Sequence, residues 1–301
     1  MDLTAVVVSY NSAAYLERCL TSLLRPRAPS KEVFVVDNAS TDGSAALVRD
    51  CFPEVTLIAN RRNVGFSAAC NQAIRRAAGR YVLLLNPDAE VLGESLAALV
   101  RFMDERPRAA VAGGRLRYGD GSFQHSAFRF PSLGQIVLDF FPLHPRLVES
   151  RLNGRYPRWW DEQAFEIDHP LGAFMCVRRA AIDEVGLLDE GYFMYVEEVD
   201  WCYRFKRAGW QVWHCPDAIA VHHGGQSTRQ QAAAMFVELH RSRLRFYRRH
   251  YPRWFTWCAR ALLWLGAGTE AVAAFLADLR SGGARPERRA RARACLQVLR
   301  L

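Results

Sequence analysis

Leu83-Leu-Leu-Asn-Pro-Asp-Ala-Glu-Val91 is the stretch that decides the fold. Its three leucines predict a buried strand, which stops at Asn86 and Pro87 and is followed at once by Asp88. Because proline fixes its own φ angle, such a turn delivers the Asp88 carboxylate at a fixed angle to the edge of a sheet. We therefore expect this edge to carry a function.

Short β-branched runs alternate with amphipathic stretches on both sides of this segment, through the first 117 residues. The patterns predict strands at residues 4–8, 32–36, 55–59, 81–85 and 110–116. They predict helices at residues 13–24, 44–51, 67–77 and 94–104. Such alternation is typical of an α/β fold with a mostly parallel sheet flanked by helices, and these sheets bind ligands at the carboxyl ends of their strands.

Polar residues follow each of the first four predicted strands. The groups are Ser9-Tyr10-Asn11, Asp37-Asn38-Ala39-Ser40, Asn60-Arg61-Arg62-Asn63 and Asn86-Pro87-Asp88. Asp, Asn and Ser are also ordinary helix caps and turn formers, so each group alone has a structural explanation. Four successive strand ends with this chemistry favour a binding site along one edge of the sheet.

Arginine supplies nearly all of the positive charge behind the formal net charge of +9, because Lys31 and Lys206 are the only lysines. Half of the 301 residues are hydrophobic, which predicts a globular chain with a sizeable core. The eight cysteines are scattered without a C-x-x-C pair, and the N-terminus lacks the pattern of a secretory signal peptide. We therefore expect reduced thiols in a cytoplasmic protein.

The pattern becomes irregular and rich in aromatic residues and proline from about residue 118 to residue 166. A long segment of this kind predicts either a region that covers the site or faces an acceptor, or a packing insert. After it we expect a strand at residues 172–177, helices at 179–185 and 198–208, and a final strand at 211–213. The chain beyond residue 226 is basic and predicted to be helical.

An ordered set of short motifs resembles the inverting, nucleotide-sugar-dependent glycosyltransferases of family 2, and most of all their rhamnosyltransferase-like members. The motifs are Val6–Asn11, Val35–Gly43, Asn63–Phe66 with Asn71, Asn86–Asp88, Gly172–Met175, Glu197–Trp201 and Val221–Gly225. The resemblance covers about residues 3–228 and implies a GT-A type, Rossmann-like catalytic domain over residues 1–228. Its nucleotide-sugar-binding half would be residues 1–117 and its acceptor-binding half residues 118–228, followed by a basic helical tail at 229–301.

For the donor, the resemblance implies that Asp37 reads the edge of a pyrimidine base, in a pocket lined by Ser9, Tyr10 and Asn11. Four further residues would complete the nucleotide-sugar site: Asn63, Gly65, Asn71 and Asn86. Glycine at position 65 would let the backbone approach a phosphate, and the helix that follows would offer its N-terminal amides. Asp37 could instead cap a helix, and the segment around Gly65 could be only a helix start.

For a metal ion, the resemblance implies Asp88 and His222 as ligands, with Asn86 in support because it lacks the charge of the family's usual aspartate. Mixed carboxylate and imidazole ligation suits Mn²⁺, and Mg²⁺ is the alternative. Such an ion would neutralise charge on the departing pyrophosphate. A lone histidine is more often structural, and the adjacent His223 leaves open which of the two faces the site.

For the acceptor, the resemblance implies that Glu198 is the base that takes the proton of the attacking hydroxyl, with Asp200 as the second candidate. Glu197, Asp200 and Trp201 are the predicted acceptor-binding residues. The structural alternative is that Glu197, Glu198 and Asp200, at the start of a helix, only complement the helix dipole.

The tail contains an apolar stretch, Trp254 to Leu279, that Arg260, Glu270 and Asp278 interrupt. Central charges cost about 2.5 to 3.5 kcal/mol each on membrane insertion, so we expect a helix that lies on the cytoplasmic face of the membrane rather than one that spans it. The flanking arginines suit anionic headgroups. The alternative is a pair of helices packed on the catalytic domain.

The resemblance thus predicts the transfer of a hexose, with rhamnose from dTDP-rhamnose as the leading case, to a saccharide or lipid-linked saccharide in cell-surface glycan synthesis. Another UDP- or GDP-sugar could be the donor. A nucleotidyltransferase shares the fold but usually carries a glycine-rich loop with a basic residue after its first strand, which Ser9–Ser12 lacks. The arginine-rich tail could instead bind nucleic acid, and a glycan-binding module without catalysis is the remaining alternative.

Overall fold

The computed structural model describes residues 1–24, 29–224, 232–280 and 286–301, and the side chains of 278–287 are not considered. Gly225 of the Val221–Gly225 motif, the expected boundary at residue 228 and the side chains of Asp278 and Arg285 lie outside this described part.

The described chain alternates between strands and helices as its sequence predicts. The strands are β1 (Leu3–Ser9), β2 (Lys31–Asp37), β3 (Thr56–Ala59), β4 (Tyr81–Leu85), β5 (Ala89–Val91), β6 (Ala109–Arg117), β7 (Phe123–Gln124), β8 (Ala127–Phe128), β9 (Phe165–Glu166), β10 (His169–Pro170), β11 (Phe174–Arg178) and β12 (Gln211–His222). The helices are α1 (Ala13–Leu23), α2 (Ser44–Cys51), α3 (Phe66–Ile74), α4 (Ser95–Asp104), α5 (Leu133–Phe140), α6 (Pro145–Val148), α7 (Arg179–Val185), α8 (Glu197–Arg207), α9 (Ala232–His250), α10 (Arg253–Arg280) and α11 (Pro286–Val298).

Strands β3, β2, β1 and β4 lie side by side in this order and run parallel. Their register brings the strand ends to one edge, because Ser9 pairs with Asp37, and Asp37 pairs with Ala59. The predicted convergence of the first polar groups on one edge is therefore correct. Strand β4 has the bounds that the sequence predicted, whereas helix α3 ends at Ile74, three residues before its predicted end.

The other half of the sheet is mixed. Strand β11 lies antiparallel between β4 and β6, β12 runs parallel to β6, and β5 pairs antiparallel with β12. The expected α/β class, a sheet flanked by helices with helices at the C-terminus, is confirmed, with parallel pairing concentrated in the first half.

Strand β12 is longer than predicted, because it continues to His222 instead of ending at Trp213. Pro216 and Asp217 interrupt the ladder, because the pairing with β6 shifts register between Cys215 and Ile219 and then resumes. Such a bulge absorbs residues that cannot join the ladder. The extension carries His222 to its place opposite Ala89.

The leucine run in β4 is buried on both sides of the sheet. Leu83 and Leu85 pack into one hydrophobic cluster, and Val82 and Leu84 into the other. A strand buried on both faces has no polar alternation, which explains the continuous apolar run before Asn86.

The chain divides into two compact units. The first comprises Met1–Phe130, Tyr156–Phe193 and the described part of Glu197–Ser227. The second comprises Pro131–Arg155, Met194–Val196 and the described part of Thr228–Leu301. Residues 131–155 thus group with the C-terminal helices, whereas the sequence-based division at residues 117 and 228 stays a prediction.

The second unit has a small core of its own. Val237, Ala267, Ala294, Cys295 and Val298 are buried together there. Helix α10 packs closely on α5 at Gly266, where an added Cβ atom would come 2.2 Å from the Phe140 ring. A larger side chain at that position would therefore separate the two helices.

Candidate functional site

Asp88 and His222 lie side by side, just beyond the end of strand β4. Nε2 of His222 is 3.4 Å from Oδ1 of Asp88 and 3.2 Å from Nδ2 of Asn86. Both the histidine and the acid are buried. The structure therefore brings His222 to Asn86 and Asp88, which lie more than 130 positions before it in the sequence.

Gln124 on strand β7 orients the imidazole from its other side. Its Oε1 atom lies 3.2 Å from Nδ1 of His222. With this oxygen as acceptor, Nδ1 carries the proton, and Nε2 presents its lone pair toward Asp88. Nothing in the sequence pointed to Gln124, because a glutamine on a two-residue strand in an irregular segment matches no motif.

His223 faces a different group. Its Nε2 lies 3.2 Å from Oε1 of Glu90, and its ring packs against Tyr15. Successive residues of a strand point to opposite faces, so only one of two adjacent histidines can face Asp88. The residue that does so is His222.

The donor atoms at this edge fit a divalent ion of the kind the sequence suggested. Asp88 offers a carboxylate oxygen and His222 an imidazole nitrogen, a combination that suits Mn²⁺. Within the described part of the chain, no group of three or more His, Cys, Asp or Glu residues could enclose an ion. An ion held by this pair would therefore need further ligands from a bound molecule, as Mg²⁺ and related ions often do with phosphates.

Glu198 reaches the same edge from helix α8. The backbone N–H of Asn86 donates to the carbonyl of Ala173 at 3.0 Å, and a Cβ atom on the preceding Gly172 would lie 3.7 Å from the Glu198 side chain. Burial raises the pKa of Glu198 to about 7. A carboxyl group with this pKa can accept a proton near neutral pH.

The backbone that leads into helix α8 is strained. Tyr195 and Val196 have φ angles of 67° and 71°. A positive φ is an outlier for a β-branched residue such as valine, and conformations of this kind cluster at functional sites.

Two of the predicted acceptor-binding residues are held by the protein itself. Trp201 is fully buried, packs against Phe205 and donates its indole N–H to the Gly186 carbonyl at 2.8 Å. Asp200 is also fully buried, and its carboxylate accepts from Arg204 at 2.7 Å and from the Tyr192 hydroxyl at 3.3 Å. The assignment of Trp201 to the acceptor is wrong, because the indole is in the core, and Asp200 is an ion-paired brace rather than an alternative base.

Glu197 is buried at the first position of helix α8, next to Glu198. The pKa of the Cys70 thiol is raised, mainly by burial and to a smaller extent by the negative charge of Glu197. This contact places Glu197 toward helix α3, and its role with an acceptor stays a prediction.

Asp37 ends strand β2 with one carboxylate oxygen engaged and one not. Oδ2 accepts the backbone N–H of Ser40 at 3.0 Å, whereas the buried Oδ1 has no hydrogen-bond partner among the described residues. A buried acceptor without a partner is costly. It is the atom to which a base N–H could donate.

The turn after β1 is hydrogen-bonded to the turn after β2. The Asn11 N–H donates to Ser40 Oγ at 2.9 Å, and Asn11 Oδ1 accepts from the Thr41 N–H at 2.9 Å. Asn11 has a φ angle of 49° in this turn, Ser9 Oγ lies 2.8 Å from Ser12 Oγ, and Tyr10 is half-buried. The predicted residues Ser9 to Asn11 therefore form one rigid edge with the loop that carries Asp37.

The motif from Asn63 to Asn71 contacts the loop that precedes helix α8. Gly65 has a φ angle of 87°, and a Cβ atom on it would come 2.7 Å from the Phe193 carbonyl, which also accepts the Phe66 N–H. This close approach is to the protein backbone, which is sufficient reason for glycine, and the phosphate contact of Gly65 stays a prediction. Asn63 Oδ1 accepts the Gly65 N–H at 2.9 Å and closes the turn.

Asn71 completes this brace. Its amide group donates to the Leu188 carbonyl and to Glu190 Oε1, both at 2.9 Å, and its oxygen accepts the Leu188 N–H at 3.2 Å. Both amide hydrogens are thus used within the protein. Asn71 therefore positions the 186–193 loop instead of contacting a sugar, which corrects the sequence-based assignment.

Comparisons with known proteins agree with this architecture. Residues 4–186 match the family model described as Glycosyl transferase family 2. The chain is 31% identical over 294 residues to the "N-acetylglucosaminyl-diphospho-decaprenol L-rhamnosyltransferase" of Mycobacterium tuberculosis, covering 91% of this chain and 92% of the relative. It is 26% identical over 164 residues to "Rhamnosyltransferase WbbL" of Escherichia coli, covering 54% of this chain and 59% of that protein.

A solved structure shares the fold over nearly the whole chain. It is the mannosyltransferase PcManGT from Pyrobaculum calidifontis in complex with GDP-Man and Mn²⁺, with a TM-score of 0.56 and 17% sequence identity. The match covers 99% of this chain and 84% of that one. The family match and the long relative confirm the resemblance that the motifs indicated, and the chain belongs to glycosyl transferase family 2.

Proposed function

We propose that this enzyme transfers a hexose, with inversion, from a nucleotide-sugar donor to a lipid-linked saccharide in cell-surface glycan synthesis. The donor that we favour is dTDP-rhamnose, and the acceptor is a sugar carried on a polyprenyl diphosphate. The sugar and the acceptor follow the Mycobacterium tuberculosis relative, whose name specifies a rhamnosyltransferase that acts on N-acetylglucosaminyl-diphospho-decaprenol. The dTDP carrier follows from the resemblance of the sequence motifs.

The observation that carries the proposal is the position of Glu198 beside Gly172, one residue from the Ala173 carbonyl that binds the Asn86 N–H. Glu198 can take the proton of an acceptor hydroxyl while that oxygen attacks the anomeric carbon. The bond from this carbon to the diphosphate oxygen breaks, and the nucleoside diphosphate leaves. Attack from the face opposite the leaving group inverts the anomeric centre.

The chain's own side chains would hold the donor at both ends. Asp37 Oδ1, buried without a partner among the described residues, would accept the imide N–H of a thymine or uracil base. Asp88 and His222 would hold Mn²⁺ or Mg²⁺ at the diphosphate, and the ion when bound would stabilise charge on the leaving group. Asn86 and Gln124 keep the imidazole in place for this task.

We further propose that helix α10 lies in the cytoplasmic surface of the membrane. Between Trp254 and Ala277 its exposed positions carry no charged side chain, and Trp257 is 75% and Phe275 63% exposed. The two charges that interrupt this stretch are partly buried: Arg260 lies over the Trp264 ring at 5.3 Å, and Glu270 pairs with Arg291 of helix α11 at 2.8 Å. Exposed arginines on helix α9, such as Arg248 and Arg249, suit anionic headgroups.

Residues Arg253–Ala277 are also long and apolar enough to cross a bilayer, a test that many soluble core helices pass as well. The opposite side of α10 is buried at Ala259, Leu263 and Ala267, so the exposed uncharged face is the side available to a membrane surface. A catalytic domain over residues 1–228 with a membrane-binding tail is the organisation that we propose.

The test is a transfer assay with dTDP-rhamnose, UDP-sugars and GDP-sugars, a synthetic N-acetylglucosaminyl-diphospho-lipid acceptor, and Mn²⁺ or Mg²⁺. We expect one donor to dominate, a product of inverted anomeric configuration, and loss of transfer on addition of EDTA. A retained configuration, or no transfer from any of the donors, would contradict the proposal.

A further inference from the structure

A cleft of about 520 Å³ opens beside strands β6 and β7 in the first unit, and none of its lining residues belongs to the sequence motifs. Three arginines, two aromatic residues and a buried acid form its walls: Arg115, Arg117, Arg158, Phe123, Trp159 and Asp161. Its volume is within the range of about 300–1,000 Å³ that is usual for ligand pockets.

The wall of this cleft is rigidly built. The buried Asp161 carboxylate accepts from Nε of Arg115 and from a terminal nitrogen of Arg117, both at 2.9 Å. His214 anchors the same residue, because its Nε2 lies 2.9 Å from the Asp161 carbonyl. The arginine side chains are therefore fixed before any ligand arrives, which lowers the entropy lost on binding.

Trp159 stands out from this wall. It is 76% exposed, whereas the next residue, Trp160, packs against Tyr156 and Phe165. The indole face is thus open to the cleft, and it offers an apolar platform beside polar groups. A sugar ring has matching chemistry, with C–H groups on its faces and hydroxyls at its rim.

The lining carries both signs of charge, with three arginines beside Asp161 and Glu162, and it therefore offers hydrogen-bond donors and acceptors together. Asp161 and Glu162 would repel an anion that approached Arg115, which lies 3.3 Å from Glu162. Arg158 lies over the Phe123 ring at 4.9 Å and has no carboxylate partner among the described residues. Donors and acceptors together suit hydroxyl groups, which are both.

The cleft borders the candidate active site through two strands. Phe123 lines the cleft, while the next residue of β7, Gln124, holds His222. On β6, Arg117 lies opposite Val221, the residue before His222. Phe123 and Gln124 point to opposite faces of β7, so a saccharide chain that reacts near His222 would have to pass around β7 to extend into the cleft.

We propose that this cleft is a saccharide subsite that binds a neutral, non-reacting sugar of lipid-linked acceptors that carry more than one sugar, stacked on Trp159 and hydrogen-bonded to Arg158 and Glu162. Its role toward the acceptor rests on the proposed transfer function, whereas sugar binding in the cleft does not. The subsite would let the enzyme select acceptors by the sugars beyond the one that reacts.

The binding test uses the full chain without donor, by saturation-transfer NMR and calorimetry, with chitobiose and with a rhamnosyl-N-acetylglucosamine disaccharide. We expect binding to weaken at least tenfold in Trp159→Ala and in Arg158→Ala, and to be unchanged in Trp257→Ala, which removes an equally exposed indole from the second unit. Equal binding by Trp159→Ala, no binding of either sugar, or displacement of the sugar by inorganic pyrophosphate would overturn the subsite.

A kinetic test separates this inference from the proposed function. We expect Trp159→Ala to raise KM for a disaccharide acceptor at least tenfold while leaving kcat and the donor KM unchanged. If Trp159→Ala transfers sugar with an unchanged acceptor KM, the subsite is contradicted and the proposed function is not. If the protein binds sugar through Trp159 but transfers none, the proposed function is contradicted and sugar binding in the cleft is not.

Discussion

His222 Nε2 lies 3.4 Å from Asp88 Oδ1, across 134 residues of sequence, and the Asn86 amide lies 3.2 Å from the same nitrogen. Strand β4 ends at Leu85, directly before Asn86, and the bulged strand β12 carries His222 at its end. This contact joins the end of the parallel half of the sheet to strand β12 in its mixed half.

Removal of either predicted metal ligand should abolish metal-dependent transfer. We expect Asp88→Asn and His222→Ala to lower the transfer rate about 10²- to 10³-fold, because each removes several kcal/mol of charge stabilisation on the leaving diphosphate. The matched control is His223→Ala, since His223 faces Glu90. A manganese titration of activity measures the effect, and equal losses in the His222 and His223 variants would refute the assignment.

Gln124 should affect metal affinity through its hydrogen bond with His222, without being a ligand itself. We expect Gln124→Ala to weaken Mn²⁺ affinity about 10- to 100-fold, because outer-sphere partners fix the tautomer and orientation of a ligating histidine. Excess Mn²⁺ should restore most of the rate. A loss of rate that Mn²⁺ does not rescue would show that Gln124 does not work through His222.

Glu198 should make both activity and stability depend on pH. Because burial raises its pKa to about 7, the deprotonated base accumulates only above that pH, and the transfer rate should rise as pH passes through about 7. The raised pKa also means that the folded state holds this proton more tightly than the unfolded state. Its stability contribution is therefore present below the ordinary value of 4.5 and is lost as pH rises through about 7.

The stability of Glu198→Gln measures this effect. We expect the variant to be more stable than the parent at pH 8, by about 1–3 kcal/mol, and the difference to shrink toward pH 4. Thermal unfolding at both pH values provides the comparison. A difference that is constant with pH would mean that Glu198 titrates normally.

Helix α10 should bind anionic vesicles through its uncharged face. We expect the double variant Trp257→Ser/Phe275→Ser to bind phosphatidylglycerol vesicles at least tenfold more weakly, because burial of each large side chain contributes about 1.5–3 kcal/mol. The control is Leu143→Ser, which removes a side chain that is 72% exposed in the same unit but outside α10. Equal sedimentation of the two variants with vesicles would exclude this face.

The sequence predicted the parallel half of the fold well, because periodic patterns and turn residues act locally. The run Leu83–Leu85 and its turn gave strand β4 with its correct end. It did not predict the antiparallel insertion of β11 or the length of β12. Strand partners are set by long-range packing, and a bulge at Pro216 and Asp217 resembles a strand end when it is read from the sequence alone.

The candidate site was predicted by residue type more reliably than by role. Asp37 ends strand β2, Asp88 lies beside His222 and Glu198 lies beside Gly172, while their roles with a ligand stay predictions. Trp201 and Asn71 also belong to the motifs, yet their side chains hydrogen-bond within the protein. Trp201 donates to the Gly186 carbonyl, and Asn71 donates to the Leu188 carbonyl and to Glu190. A motif records that a residue matters, and only the contacts show whether it faces a ligand or braces a loop.

The transfer rate of Glu198→Gln tests the central claim most directly, measured beside Asp200→Asn with saturating donor and acceptor and normalised to folded protein. The glutamine keeps the shape of the side chain but cannot take the proton, so we predict a fall of at least 10²-fold with unchanged donor affinity. Asp200→Asn should lose stability, because it weakens the buried pair with Arg204, while folded molecules keep most of their rate. Parent-like transfer by Glu198→Gln, or the larger loss in Asp200→Asn, would contradict the assignment of Glu198 as the base.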